Sequence, residues 1–335
     1  MKPHVAIVNS KSFGKFTDIM SKLKVRCVLD QIEVPKDITE HELAEKLKGY
    51  HFVIASVTPH YGKEFFRRNE DVVMIVRHGI GIDNIDLKAA EECGVIVAAV
   101  PGYKEREAVA EHTIALMLNA LRRITEANEA VKNGRWQERA KFISKNISNL
   151  TVGIVGFGNI GSRVAEILMN GFGTKVVAYD PYVPKEKMET LGVTPMINIT
   201  ELISKSDIVT LHANLSPETY HIINKETLAS AKKGIIIVNA ARGELIDQNA
   251  LIEAIEKGII IAAALDVVEK EPIELEHPLL KYSNVVITPH IAAYTQEALT
   301  AMDETVAEAI LSYLDNRPIE GTVINPKKRR KLKTQ

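Results

Sequence analysis

Cysteine is scarce in this chain. Cys27 and Cys93 are the only two among 335 residues, and their spacing makes neither a metal cluster nor a redox pair. No disulfide scaffold holds such a chain, and reduced thiols fit a cytoplasmic protein. An excess of one charge is also missing: 42 Lys and Arg stand against 43 Asp and Glu, a net −1. That balance gives no overall pull towards nucleic acid or membrane. No apolar run approaches the roughly eighteen residues of a membrane span. The first residues lack the charged and apolar regions of a signal peptide. The single Trp, Trp136, lies just past a helical pattern and reads as a packing residue.

What is present is ordinary for a soluble globular protein, with 46% apolar and 25% charged residues. The length allows two domains, each with its own core. The most informative stretch is 151–180, TVGIVGFGNIGSRVAEILMNGFGTKVVAYD. A short apolar run, Val152 to Val155, suits a buried strand. Gly156, Gly158 and Gly161 follow as G-x-G-x-x-G. A helical pattern then puts Ile160, Val164, Ile167 and Leu168 on one face. A second apolar run, Val176 to Tyr179, ends in Asp180, nineteen residues past the last glycine.

Each part has a physical role in holding a dinucleotide. Gly156 allows a tight turn, Gly158 lets a pyrophosphate approach the backbone, and Gly161 lets helix and strand pack closely. Free N–H groups at the helix start hold the phosphate charge. Asp180 is placed to accept hydrogen bonds from a ribose 2′-hydroxyl and to repel a 2′-phosphate. NAD is therefore favoured over NADP, with Lys185 and Lys187 nearby as the counter-argument.

Along the rest of the chain, strands and helices alternate, which implies parallel sheets flanked by helices. Strands are expected at 4–8, around 25–34, at 51–55, 72–76 and 95–100. Helices are expected at 39–48, with Thr39 and Glu42 in capping-box spacing, and at 86–93. Pro101 and Gly102 mark a crossing between domains. A long helix is expected from about 105 to 133, apolar nearly all round in its first half, so it must be covered on more than one side. After Asp180 come helices at 199–205, 225–232 and 247–256, and strands at 207–211, 235–238, 260–265 and 285–288. The last long helix, about 294–314, is expected to return to the first domain. The fold class is thus α/β, with two Rossmann-like doubly wound parallel-sheet domains and a cleft between them. The expected division is 1–100 plus 290–325, then 101–289, with 326–335 a basic tail. That tail carries Lys327, Lys328, Arg329, Arg330, Lys331 and Lys333. A solvated end is the favoured reading, and a nuclear-localisation or nucleic-acid patch the other.

Two groups of residues suggest chemistry. Arg77 to Asp86, RHGIGIDNID, follows directly on a strand. Its Gly79 and Gly81 would expose amides to an anion such as a carboxylate, although spacing alone favours a plain turn. Arg242, Glu271 and His290 stand near the C-terminal ends of predicted strands, where ligands bind in doubly wound sheets. Reducing a 2-oxo acid needs a cation on the carboxylate and carbonyl, and a proton donor for the new hydroxyl. Arg242 suits the first through its planar fork, and His290 the second. A nearby Glu271 would stabilise the imidazolium and raise its pKa.

With these motifs, GIGIDNID, AVAEHTIALML, GIVGFGNIG, NAARGELID, ALDVVEKEP and ITPHIAAYT, the chain resembles the D-isomer-specific 2-hydroxyacid dehydrogenases over about residues 1–325. The resemblance implies an NAD-dependent enzyme interconverting a small 2-oxo acid and its D-2-hydroxy acid, with Arg242, Glu271 and His290 catalytic. It implies cofactor contacts at Asn159, Ile160, Asp180, Ala240, Arg242 and Asp266, the last near the nicotinamide amide. His212 and Thr219 would neighbour the adenosine, and His290 the nicotinamide. The substrate carboxylate would sit on amides of Gly79, Ile80 and Gly81, with Arg77, Arg242 and His290 close to it. A homodimer through the 105–133 helix is implied, with no metal, nucleic-acid or membrane partner.

Two departures bear on this. Asn214 in HAN replaces a common Pro, which touches the adenine pocket. ASVT, Ala55 to Thr58, lacks the Arg of relatives that oxidise 3-phosphoglycerate, so that substrate is the alternative within the class. VRHGIG also resembles the family's NAD-binding corepressors, and an NAD(H)-sensing scaffold is the alternative from another class.

Overall fold

The computed structural model describes residues 2–332. It divides into two compact units, one formed by residues up to Glu105 with those from Tyr294 onward, the other by Arg106–Ala293. His290 therefore falls in the second unit, not with 290–325 as the expected boundary had it. The reason is local: its amide and those of Ile291 and Ala292 are bonded to Asp266 of the second sheet.

The first unit begins as β1 (His4–Val8), α1 (Ile19–Arg26), β2 (Val28–Ile32), α2 (Glu40–Lys46), β3 (Phe52–Ala55), α3 (Lys63–Arg68), β4 (Met74–Arg77), α4 (Leu87–Glu92) and β5 (Ile96–Ala99). Every residue of β3, β4 and β5 is buried, as expected of parallel strands covered on both faces. The strand order is β2-β1-β3-β4-β5, so the direction of winding reverses between β1 and β3. The loop after β1 emerges at that switch point, and the loop after β4 leaves the same C-terminal edge of the sheet, the edge at which ligands bind in such folds. Thr39 and Glu42 form the anticipated capping box, worth about 1 kcal/mol. The expected strand around 25–34 shrinks to β2, because Val25 belongs to α1 and is 71% exposed. Helices α1 and α3 give little periodic signal; α1 buries only Ile19 and Leu23.

The second unit opens with α5 (Arg106–Arg122) and α6 (Ile124–Lys132), where one continuous helix was expected. Arg123 between them is left-handed, with φ +53°. Asn119 caps the restart by accepting from the Thr125 amide at 2.9 Å. Then come β6 (Thr151–Val155), α7 (Asn159–Phe172), β7 (Lys175–Tyr179), α8 (Lys185–Thr190), β8 (Thr194–Pro195), α9 (Ile199–Lys205), β9 (Ile208–Leu211), α10 (Lys225–Leu228), β10 (Ile235–Asn239), α11 (Gln248–Glu256), β11 (Ile260–Leu265) and β12 (Val285–Ile287). The sheet runs β8-β7-β6-β9-β10-β11-β12, all parallel. Winding reverses between β6 and β9, the crevice position for a dinucleotide. One face of α5, through Ala110, Ile114, Met117 and Leu121, joins the core beneath α7.

The chain returns to the first unit through α12 (Gln296–Leu314), capped by Thr295, and β13 (Thr322–Ile324). Strand β13 pairs antiparallel with β5, so the first sheet is not purely parallel. The tail departs from the expected solvated end at Arg330. Its guanidinium donates to the carbonyls of Phe66 and Asn69, each at 2.6 Å, and of Val72 at 3.1 Å. Lys333 lies outside the described residues. Among the described residues no helix is long and apolar enough to cross a membrane.

Candidate active site

The three glycines of the 156–161 loop have different reasons to be glycine. Gly156 has φ +89°, and a Cβ there would lie 2.6 Å from the Ala213 nitrogen. At Gly161 a Cβ would meet the Gly156 carbonyl oxygen at 2.1 Å. These two shape the turn and the strand–helix contact. At Gly158 a Cβ would meet nothing within 4 Å. No protein atom requires glycine there, whereas a pyrophosphate approaching the backbone does. Asn159 and Ile160 start α7 directly behind it, so the loop fits the dinucleotide read from its sequence.

Asp180 follows β7. Its carboxylate accepts from the Phe157 amide at 2.8 Å and the Tyr182 amide at 2.9 Å. It thereby ties the glycine loop to the end of β7. His212 follows β9, with Nε2 3.0 Å from Thr210 Oγ1. The residue is half-buried, and desolvation pulls its pKa down to about 3. It is neutral across the physiological range and offers no charge to a cofactor. Thr219 closes its own loop: its hydroxyl donates to the Asn214 carbonyl at 2.6 Å and accepts from the Ser216 amide at 2.8 Å. The Asn214 that replaces a common Pro is thus held by Thr219.

Arg242 and Ala240 lie in the turn after β10. Asn239, fully buried at the end of that strand, shapes the turn. Its side chain accepts from the Ala241 amide at 3.0 Å and donates to the Arg242 carbonyl at 2.8 Å. Beside it, a Cβ on Gly243 would meet the Val268 carbonyl carbon at 2.0 Å. The loops after β10 and β11 are therefore pressed together. Sequence reasoning passed over Asn239 and Gly243; a polar residue ending the apolar run IIIVN was the available signal.

His290 and Glu271 are brought together. His290 Nδ1 lies 2.8 Å from Glu271 Oε2, and Glu271 Oε1 accepts from the Val268 amide at 3.3 Å. Both side chains are about one-third exposed, 34% and 33%, so the pair contributes little to stability, about 0–1 kcal/mol. Its consequence is orientation. With Nδ1 donating to the carboxylate, Nε2 is the nitrogen left to face a substrate. His290 also has φ +56°, a conformation costing on the order of 1 kcal/mol outside glycine.

Asp266 holds that conformation. It is 1% exposed and accepts from the Ile291 amide at 2.9 Å, the Ala292 amide at 2.8 Å and the Thr288 hydroxyl. His112 Nε2 lies 3.4 Å from the same carboxylate. Burial opposes its charge, but these donors prevail and hold its carboxyl below the usual range. Expected near the nicotinamide, Asp266 is committed to the loop that carries His290.

In the first unit, Arg77 and Gly79 are buried, while Ile80 and Gly81 keep some exposure. The Arg77 guanidinium turns back onto its own loop, against the His78 carbonyl and over Gly79. The Gly79 amide donates to the Arg77 carbonyl at 3.0 Å, so it is not free for a carboxylate. Among the described residues the Ile80 and Gly81 amides have no such partner.

A family model described as the NAD binding domain of D-isomer specific 2-hydroxyacid dehydrogenases matches residues 114–292. D-3-phosphoglycerate dehydrogenase of Methanocaldococcus jannaschii is 40% identical over 304 residues, 91% of this chain and 57% of that protein. Glyoxylate reductase of Korarchaeum cryptofilum is 34% identical over 297 residues, 88% of this chain and 89% of that protein. The crystal structure of D-lactate dehydrogenase from Aquifex aeolicus, complexed with NAD and lactic acid, superposes with a TM-score of 0.84. It is 27% identical and covers 96% of this chain and 100% of that one. The chain spans only 57%, 55% and 52% of three phosphoglycerate dehydrogenases it matches. With the match over 114–292 and 40% identity across 91% of its length, the chain belongs to the D-isomer specific 2-hydroxyacid dehydrogenase family, and its second unit is that family's NAD-binding domain.

Proposed function

We propose that this protein is an NAD-dependent oxidoreductase that interconverts a small, unphosphorylated 2-oxo acid and its D-2-hydroxy acid. The observation that carries the reading is the His290–Glu271 pair, 2.8 Å apart, on loops following adjacent strands of the NAD-binding sheet. NADH supplies the hydride. His290 Nε2 donates the proton that completes the new hydroxyl, and takes it back in oxidation. Glu271 accepts from Nδ1–H and keeps the ring in one orientation. Arg242 holds the substrate carboxylate and polarises the carbonyl. The Ile80 and Gly81 amides supply further carboxylate contacts. Asp180 favours NAD over NADP by repelling a 2′-phosphate.

Lack of a phosphate clamp supports the unphosphorylated substrate. The stretch Ala55 to Thr58 has no Arg, and Arg77 is folded onto its own loop. Oxidation of 3-phosphoglycerate is the second reading, favoured by the 40% identity to a phosphoglycerate dehydrogenase. The protein is read as cytoplasmic and as a homodimer through α5 and α6. Exposed Ile124, Val131, Trp136 and Ile143 in and after those helices support the dimer.

The test is NADH oxidation with glyoxylate, hydroxypyruvate, pyruvate, 2-oxoglutarate and phosphohydroxypyruvate. Turnover of a small unphosphorylated acid is expected, and His290→Ala should lower kcat by about 10²–10⁴ with NADH affinity retained. Preference for phosphohydroxypyruvate would establish the second reading. Tight NADH binding with no turnover would point instead to an NAD(H)-sensing scaffold.

A further inference from the structure

A second buried histidine lies outside the chemistry described so far. His78 stands between Arg77 and Gly79, at the end of β4, and is 7% exposed. Its Nδ1 is 2.7 Å from Ser10 Oγ, and its Nε2 is 3.0 Å from Asp303 Oδ1. Ser10 is 3% exposed and Asp303 fully buried. The other oxygen of Asp303 accepts from the Gly14 amide at 3.0 Å and the Thr17 hydroxyl at 2.8 Å. Phe13 packs edge-on against the His78 ring, with centroids 5.4 Å apart.

The order Ser–His–Asp resembles a nucleophilic triad, but the burial argues against that use, since a substrate could not reach Ser10. The network does something else. A carboxylate in the middle of α12 is joined through one imidazole to the loop after β4, and through two donors, the Gly14 amide and the Thr17 hydroxyl, to the loop after β1, whose Ser10 bonds the same imidazole. Those loops lie at the ligand-binding edge of the first sheet. An unpaired buried carboxylate is costly, so Asp303 strongly favours the one arrangement in which all these donors converge.

We propose that Asp303, His78 and Ser10 form a positioning network that sets the Ile80 and Gly81 amides for the substrate carboxylate. Asp303 accepts from Nε2–H, which fixes the ring, and the ring fixes the backbone on either side of residue 78. The His78 amide, donating to the Ala55 carbonyl at 2.9 Å, anchors the other end of the turn. His78 is a positioning residue and takes no part in proton transfer. The proposal rests on the 2-oxo acid reading given above.

The test compares His78→Leu, which keeps bulk but removes both polar links, with His78→Gln, whose amide can still reach Asp303. In His78→Leu, KM for the preferred 2-oxo acid should rise about tenfold to a hundredfold, as displaced binding groups do. NADH affinity should stay within about twofold, and amide hydrogen exchange across residues 79–82 should quicken. In His78→Gln most of the KM and exchange protection should return. A folded Leu variant with parental KM and parental exchange overturns the network. So does a Gln variant no better than Leu. If the Leu variant fails to fold, Asp303→Asn is read by the same two measurements and decides on the same terms. If the parent reduces no 2-oxo acid, the functional reading falls by itself, while exchange across 79–82 still decides whether these residues set the loop.

Discussion

At the scale of single residues, the second unit uses buried polar groups to hold a backbone it would not otherwise keep. His290 adopts φ +56° because Asp266 gathers the amides on its far side. Three short hydrogen bonds into a 1%-exposed carboxylate outweigh a strain on the order of 1 kcal/mol. The roles proposed for Arg242, Glu271 and His290 rest on residue type and position after apolar runs, and the fold brings His290 and Glu271 within 2.8 Å. The supporting Asn239, Gly243 and Asp266 contacts were not, because each depends on which loop lies beside which. His212 yields a pH prediction. Its folded pKa is near 3 against an ordinary 6.5, so between those values only the unfolded chain takes up the proton. Stability from this site is full above about pH 6.5 and is lost as pH falls towards 3. Urea midpoints measured from pH 7.5 to 4 should therefore fall less steeply in His212→Gln than in the parent; equal slopes would show that the ring is not desolvated.

At the scale of elements, two departures from the sequence pattern have the same origin. The helix expected over 105–133 breaks at Arg123, although no Gly or Pro occurs there. Asn119 and Thr125 bond to each other across the break, and Arg123 bridges to Glu126. Local polar side chains compete with the helix ladder, and hydrophobic periodicity does not report that. The basic tail likewise reads as solvated from composition, yet Arg330 caps three carbonyls at the end of α3 and before β4. Its amide also donates to the Gly94 carbonyl at 2.8 Å. Arg330→Ala should lower unfolding stability by about 1–3 kcal/mol, seen as a lower urea midpoint. Lys331→Ala, at an exposed neighbour, should leave the midpoint in place. Equal effects would mean that charge in the tail matters and the Arg330 contacts do not.

At the scale of the whole molecule, apolar residues in and after α6 are left exposed. Trp136 is 65% exposed and Ile143 82%, so the packing expected of Trp136 is not supplied by this chain's own core. If this surface joins two copies, Trp136→Glu combined with Ile143→Glu should halve the mass seen by analytical ultracentrifugation. A parent already monomeric at micromolar concentration would remove the homodimer from the reading.

The α/β class, most strand positions, the dinucleotide loop and the residue types proposed for catalysis could be read from local sequence alone. These follow from short-range physics: buried parallel strands need continuous apolar runs, a pyrophosphate needs glycine at Gly158, and the proposed hydride chemistry needs a cation and a titratable acid. Which unit owns His290, that Asp266 serves its loop, that Gly79 keeps its amide to itself, and that Ser10, His78 and Asp303 meet became visible only in the folded chain. Ser10 and Asp303 are separated by 293 positions. Such pairings are set by how strands order in a sheet and where a returning helix lies, and no local pattern of residues encodes them.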